Sequence, residues 1–218
     1  MEAYFANWAY RMNVSPNPTP TTRNLTADDY LALRERLVRL GFGEEIEWQR
    51  TAGPPPSAED FALEAIYVIC ASGMKQQTAR LIYDRVVDVM SQGKAPGAVF
   101  GHALKCRAIE AVWRDRQEIF ARYEAALTVE EQLAVLRGLD HIGPITVWHL
   151  AKNFGMDVVK PDRHLMRLAA AEESTPQELC ERLARATGDR IATVDLVLWR
   201  ACNLGLLRPP KLDVESTA

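Results

Sequence analysis

Apolar residues along this chain recur three and four positions apart rather than in alternation. Leu81, Tyr83, Val86, Val87 and Met90 form one such stripe, and Ile109, Val112, Trp113, Phe120 and Tyr123 another. That spacing puts side chains on one face of an α-helix. Four starts carry a hydroxyl followed three residues later by an acid or its equivalent. They are Thr26 to Asp29, Ser57 to Asp60, Thr128 to Glu131 and Thr175 to Glu178, the last with Pro176 at the first helical position. In each, the hydroxyl accepts from an unpaired amide while the acid reaches back. Glycines near these helices' far ends, Gly41, Gly138 and Gly188, predict their stops. Further helices are predicted over 75–92, 103–124, 144–154, 162–172 and 191–204. No strand pair is predicted, and Asp157 to Val159 reads as a linker. The fold class is all-α. Residues 11–24 (RMNVSPNPTPTTRN) and 51–56 (TAGPPP) read as irregular breaks.

Composition narrows the picture chiefly by exclusion. With a net charge of -3, bulk charge draws the chain toward neither nucleic acid nor membrane, so any such binding must come from local geometry. Cys70, Cys106, Cys180 and Cys202 are too far apart for a zinc finger or an iron–sulfur cluster and read as buried hydrophobes. No side-chain metal site is expected. No apolar run is long enough to span a bilayer and no secretion signal is read, so the expected compartment is the reducing cytoplasm, bacterial or nucleoid-associated.

The most informative stretch runs from Glu130 to Arg167. A short amphipathic helix ends near Gly138. A tight turn follows, Leu139 to Val147 (LDHIGPITV), and then a second helix to Phe154. Gly143 permits close approach or a positive φ, and Pro144 suits the first position of the new helix. Unpaired amides at such a helix start, at the positive end of the dipole, are a ready site for phosphate. One helix-length on, Lys160 to Arg167 (KPDRHLMR) places Asp162 where a helix N-cap is expected.

These two segments resemble the helix-hairpin-helix superfamily of DNA glycosylases, the group of endonuclease III and the alkylpurine glycosylases. There a Gly-x-Gly hairpin is followed by an aspartate heading a later helix. Val68 to Gln77 (VICASGMKQQ) and Gly101 to Ile109 (GHALKCRAI) resemble the family's upstream segments more loosely, and the likeness covers roughly 57–205. The resemblance implies two helical lobes with an active-site cleft between them. Residues 57–157 would form a six-helix lobe with the hairpin at about 136–146, and 1–56 with 158–218 the second lobe from both chain ends. It implies that Asp162 is a catalytic carboxylate as well as a cap. His141, Gly143, Ile145 and Thr146 would hold DNA phosphate. Lys75, Gln76, Gln77, Lys160 and Arg163 would form the wedge or rim, although Gln76 equally suits a solvated helix start. Trp148, Trp8 and Phe5 are candidates for the base pocket, against a plain packing role for Trp148 and for the aromatic N-terminal arm. The implied partner is double-stranded DNA carrying a modified base, bound by a monomer. No cofactor is implied beyond a monovalent cation on the hairpin carbonyls.

Departures from the family pattern are informative. Ile145 stands where endonuclease III-like members carry a lysine, so a Schiff base with the sugar cannot form at that position. A monofunctional N-glycosylase that leaves an abasic site is therefore expected. The alternatives are a non-catalytic DNA-binding protein or a glycosylase/lyase using Lys152 or Lys160. The cluster-binding cysteines of endonuclease III are absent, and His141 replaces the first hairpin glycine. Lys105, Arg107, Arg114, Arg116 and Arg122, interleaved with Glu110, Asp115, Glu118 and Glu124, read as a salt-bridged solvated helix face.

Overall fold

A computed structural model describes residues 24–208 and the backbone of Thr19 and Pro20. The described chain is helical almost throughout and divides into two compact units, Met1–Ala52 with Asp157–Ala218, and Gly53–Met156. No described helix is long and apolar enough to cross a membrane.

The first unit contains α1 (Ala27–Leu37), α2 (Gly43–Thr51), α9 (Arg163–Ala171), α10 (Pro176–Thr187) and α11 (Ile191–Asn203). Helix α11 lies in the middle and packs on the other four. Tyr30, Leu37, Ile46, Leu165, Leu168, Leu179, Leu183, Val194 and Val197 form its core. Buried charges tie the two chain ends together. Asp189 accepts from the Tyr30 hydroxyl at 2.6 Å and from Arg34 at 2.5 Å. Arg200 pairs with Glu45 and lies against the rings of Phe42 and Trp199.

The second unit contains α3 (Ala58–Ala71), α4 (Gln76–Ser91), α5 (Ala103–Arg114), α6 (Arg116–Ala125), α7 (Val129–Arg137) and α8 (Thr146–Asn153). The apolar helix α3 packs on α4, α5, α6 and α8. Phe61 on α3 meets Phe120, Tyr123 and Phe154, with ring centroids 6.0, 5.4 and 4.9 Å away. All four cysteines are buried thiols.

Local signals predict helix starts well. Thr26, Thr128 and Thr175 each close a reciprocal capping box, and Ser57 accepts from the Asp60 amide. Gly188 ends α10 with φ of 75°. Three expectations need correction. The predicted 103–124 helix breaks at Asp115, whose ψ of 10° is not helical; the break lets α6 bring Phe120 and Tyr123 onto Phe61. The stop near Gly41 does fall where expected, its φ of 90° and ψ of 18° breaking the helix, and the chain then resumes as α2, held by buried Ile46 and the Glu45 pair to Arg200. Helix α8 starts at Thr146 rather than Pro144, although the Val147 amide already bonds back to the Gly143 carbonyl across the proline. Finally, β1 (Thr19–Pro20) pairs in parallel with β2 (Leu207–Arg208). Two residues cannot display the alternation by which a strand is recognised in a sequence.

Candidate functional site

Helix α7 ends at Gly138, and the turn that follows is pinned by buried Leu139 and Ile142, the Ile142 amide bonding to the Leu139 carbonyl at 3.1 Å. The left-handed residue of this turn is His141, with φ of 64°, and not Gly143 as expected. A Cβ on Gly143 would meet only Thr146 Oγ1 at 3.8 Å, so no close approach demands a glycine there. The Gly143 amide is not available to a ligand either. It donates to Thr146 Oγ1 at 2.6 Å, and that hydroxyl returns a bond to the Gly143 carbonyl at 3.2 Å. Helix α8 has Ile145 at its N-cap and no side chain capping it. The Ile145 and Thr146 amides meet no acceptor among the described residues. They border a shallow depression of about 400 Å³ lined by Ser72 and by His141 to Thr146. Ile145 itself is 44% exposed beside it.

A second depression of about 400 Å³ adjoins the turn, lined by Leu104, Arg107, Asp140 and His141. Behind it, His102 caps α5, its Nδ1 accepting from the Lys105 amide at 3.3 Å, and its ring stands edge-on to His141 at 5.7 Å. Lys105 is only 4% exposed, which corrects its assignment to a solvated face. Its ammonium donates to the carbonyls of Cys70 and Ser72 at 3.1 and 2.6 Å, closing the C-terminal end of α3. Burial holds its pKa below the usual lysine range. On the same helical stretch Arg114 pairs with its neighbour Asp115, and Arg116 stacks on Trp113 at 4.4 Å. These are local contacts, because the break at Asp115 removes the continuous helix that i,i+4 pairing needs.

Other anticipated residues fall as follows. Lys75 is the exposed N-cap of α4, Gln76 and Gln77 are its first residues, and Gly73 ahead of them has φ of 72°. Trp148 is half-buried, with the Arg137 guanidinium 5.8 Å from its ring centre. Phe5 and Trp8 lie outside the described residues.

Asp162 is the N-cap of α9. Its Oδ1 accepts from the His164 and Leu165 amides at 2.8 and 3.1 Å. Its own amide bonds back to the Lys160 carbonyl at 2.7 Å, and the Lys160 amide donates to Oδ2 of buried Asp195 on α11 at 2.5 Å. The carboxylate is thus fixed at both its backbone and one oxygen. Oδ2 meets no hydrogen-bond donor among the described residues, and the residue is half-buried. Burial, helped by the Asp162 charge, pushes the Cys202 thiol up to about 12. Burial also lowers the His164 pKa, outweighing the pull of Asp162 in the opposite direction. Arg163 follows as an exposed first helical residue.

Sequence reasoning missed Ser72, Leu104, Arg107 and Asp140 beside the turn, and a polar group on α3, α4 and α8. There Asn153 donates to Glu64 at 2.5 Å, and burial raises the Glu64 pKa. Tyr67 packs edge-on to both Tyr83 and His149. A polar residue on the apolar face of α3 was the available signal for Glu64. The chain matches no known family, no curated protein and no solved structure.

Proposed function

We propose that this protein is a monofunctional DNA N-glycosylase of the helix-hairpin-helix type, acting on a modified base in duplex DNA. The observation that carries the reading is Asp162, a carboxylate with one oxygen locked by two amides and the other unengaged. Breaking a base–sugar bond leaves positive charge on the deoxyribose. A fixed negative oxygen near C1′ stabilises that charge without reorganising, and orients and deprotonates the attacking water. Water oxygen bonds to C1′, the bond to the base nitrogen breaks, the leaving base takes a proton, and an abasic site remains. The base must first leave the stack, which calls for a grip on the DNA backbone. The uncapped start of α8 supplies the grip, with the Ile145 and Thr146 amides and the helix dipole directed at a phosphate. Gly143 contributes through its bonds to Thr146, as a support for the turn, rather than through its amide.

Two of the amines near the turn offer little as nucleophiles, which supports water in that role and leaves Lys160 as the lyase alternative. Ile145 has none, Lys105 is clamped by two carbonyls, and Lys152 is 5% exposed. A monovalent cation on the turn fits poorly at the Gly143 carbonyl, which already accepts from the Val147 amide and the Thr146 hydroxyl.

A second reading, a DNA-binding protein without catalysis, is favoured by one fact: Asp162 is fully accounted for as a helix cap. Incubation with duplexes that each carry one modified base, with and without alkali, separates the readings. Alkali-dependent breaks at one base support the glycosylase. Breaks without alkali, with borohydride trapping of a covalent adduct, assign a lyase and point to Lys160. Duplex binding with no break at any base favours the non-catalytic protein.

A further inference from the structure

The two depressions beside the α7–α8 turn share His141, and only the first belongs to the phosphate grip described above. We infer that the second, lined by Leu104, Arg107, Asp140 and His141, is a site for a neighbouring phosphodiester of the same DNA strand, with Arg107 as its charged contact. This rests on the reading that the turn binds DNA, and not on base excision.

Arg107 carries the argument. It lies one turn into α5, is exposed, and has no carboxylate within ion-pairing distance among the described residues. Its guanidinium therefore has no internal claim on it, and it lines a depression that shares His141 with the one bordered by the unbonded amides. Its planar fork suits two oxygens of one phosphate. The rest of the lining decides which kind of phosphate. Asp140 contributes one negative charge to the same rim, opposite in sign to Arg107. Such a site tolerates a singly charged diester far better than a dianionic free phosphate. Leu104, 53% exposed, offers apolar surface for a deoxyribose between the two phosphates. His141 stands at the junction of both depressions, held there by its left-handed backbone and by the His102 ring. Beside it stand His102, whose Nδ1 is occupied as a cap, and, on the same depression, Arg107 and Asp140.

The test is the salt dependence of binding of the full chain to an unmodified duplex of about 20 base pairs, followed by fluorescence anisotropy. Each phosphate contact contributes about 0.9 to the slope of log affinity against log salt. Arg107→Ala is expected to lower that slope by about 0.9 and to weaken binding about three- to tenfold at low salt. Arg107→Lys recovers most of the loss. Arg122→Ala, on the exposed face of α6, removes the same charge and leaves the slope unchanged. Inorganic phosphate competes no better than chloride at equal ionic strength. Equal slopes for Arg107→Ala and Arg122→Ala, with wild-type binding intact, overturn the second site alone. Strong competition by inorganic phosphate reassigns it to a free anion and overturns it as a diester site. Failure of the wild-type chain to bind duplex at low salt overturns the DNA reading itself, and this site with it.

Discussion

Helices α8 and α9 begin in opposite ways. Both present unpaired amides at the positive end of a helix dipole. At α9 the chain fills that end with its own anion, the Asp162 carboxylate, which accepts from two amides. At α8 the N-cap is Ile145, whose side chain can accept nothing, and no other side chain caps the helix. The one hydroxyl nearby, Thr146, is turned back to the Gly143 amide and carbonyl instead. The difference shows how one feature of helix geometry serves two ends. The start of α9 is satisfied from within the chain and holds one carboxylate oxygen rigidly, and on the proposed function the second oxygen is what meets the developing cation. The start of α8 is left uncapped, and on the proposed function a DNA phosphate fills it.

The contacts that hold α8 and the turn before it test the comparison, from the largest expected effect to the smallest. Glu64 accepts from Asn153 at the far end of α8, and burial raises its folded pKa above the unfolded value. The fold therefore favours the protonated acid. The stability this confers is complete below the ordinary carboxylate range and is lost as pH rises through the raised folded value. Glu64→Gln keeps an acceptor for Asn153 and removes the titration. Denaturant melts between pH 5 and 8 should show the wild type losing stability relative to Glu64→Gln, and parallel profiles would contradict the assignment. Lys105→Met should cost about 1–3 kcal/mol by leaving the Cys70 and Ser72 carbonyls without their donor. Thr146→Val should cost about 1 kcal/mol in the same melts, because the Gly143 amide loses its acceptor. It should weaken duplex binding if the bracing of the turn sets the direction of the free amides. His141→Gly should have the smallest effect and the opposite sign, a gain of up to about 1 kcal/mol, since glycine relieves the left-handed backbone.

What the sequence conveyed, and what it did not, follows from the range of each signal. The capping boxes at Thr26, Thr128 and Thr175 were legible because donor and acceptor lie three residues apart. The cap at Asp162 was legible for the same reason, as a hydrophilic residue heading an amphipathic helix. Lys105 was misread because its partners lie 35 and 33 residues earlier, and a lysine among charged neighbours reads as solvated until α3 is placed against α5. Pairing of Thr19 with Leu207 was beyond reach for the same reason, across nearly the whole chain. At the turn, the residue types pointed to a left-handed glycine, yet His141 takes that conformation while Gly143 binds Thr146. Arg107 and Leu104 came to the site only through the packing of the turn beside α5. The restraint of Lys160 by Asp195, 35 residues later, was likewise invisible.

The most direct test of the account is the single-turnover excision rate of Asp162→Asn, measured beside its melting curve and its affinity for duplex DNA. Asparagine caps a helix about as well as aspartate, so stability should change by no more than about 0.5 kcal/mol and affinity should hold. The excision rate should fall about 10²–10³-fold, the scale on which a fixed electrostatic contact to a transition state is lost. Excision that survives at the wild-type rate in a folded, DNA-binding Asp162→Asn protein would contradict the catalytic role of Asp162 and leave it a helix cap alone.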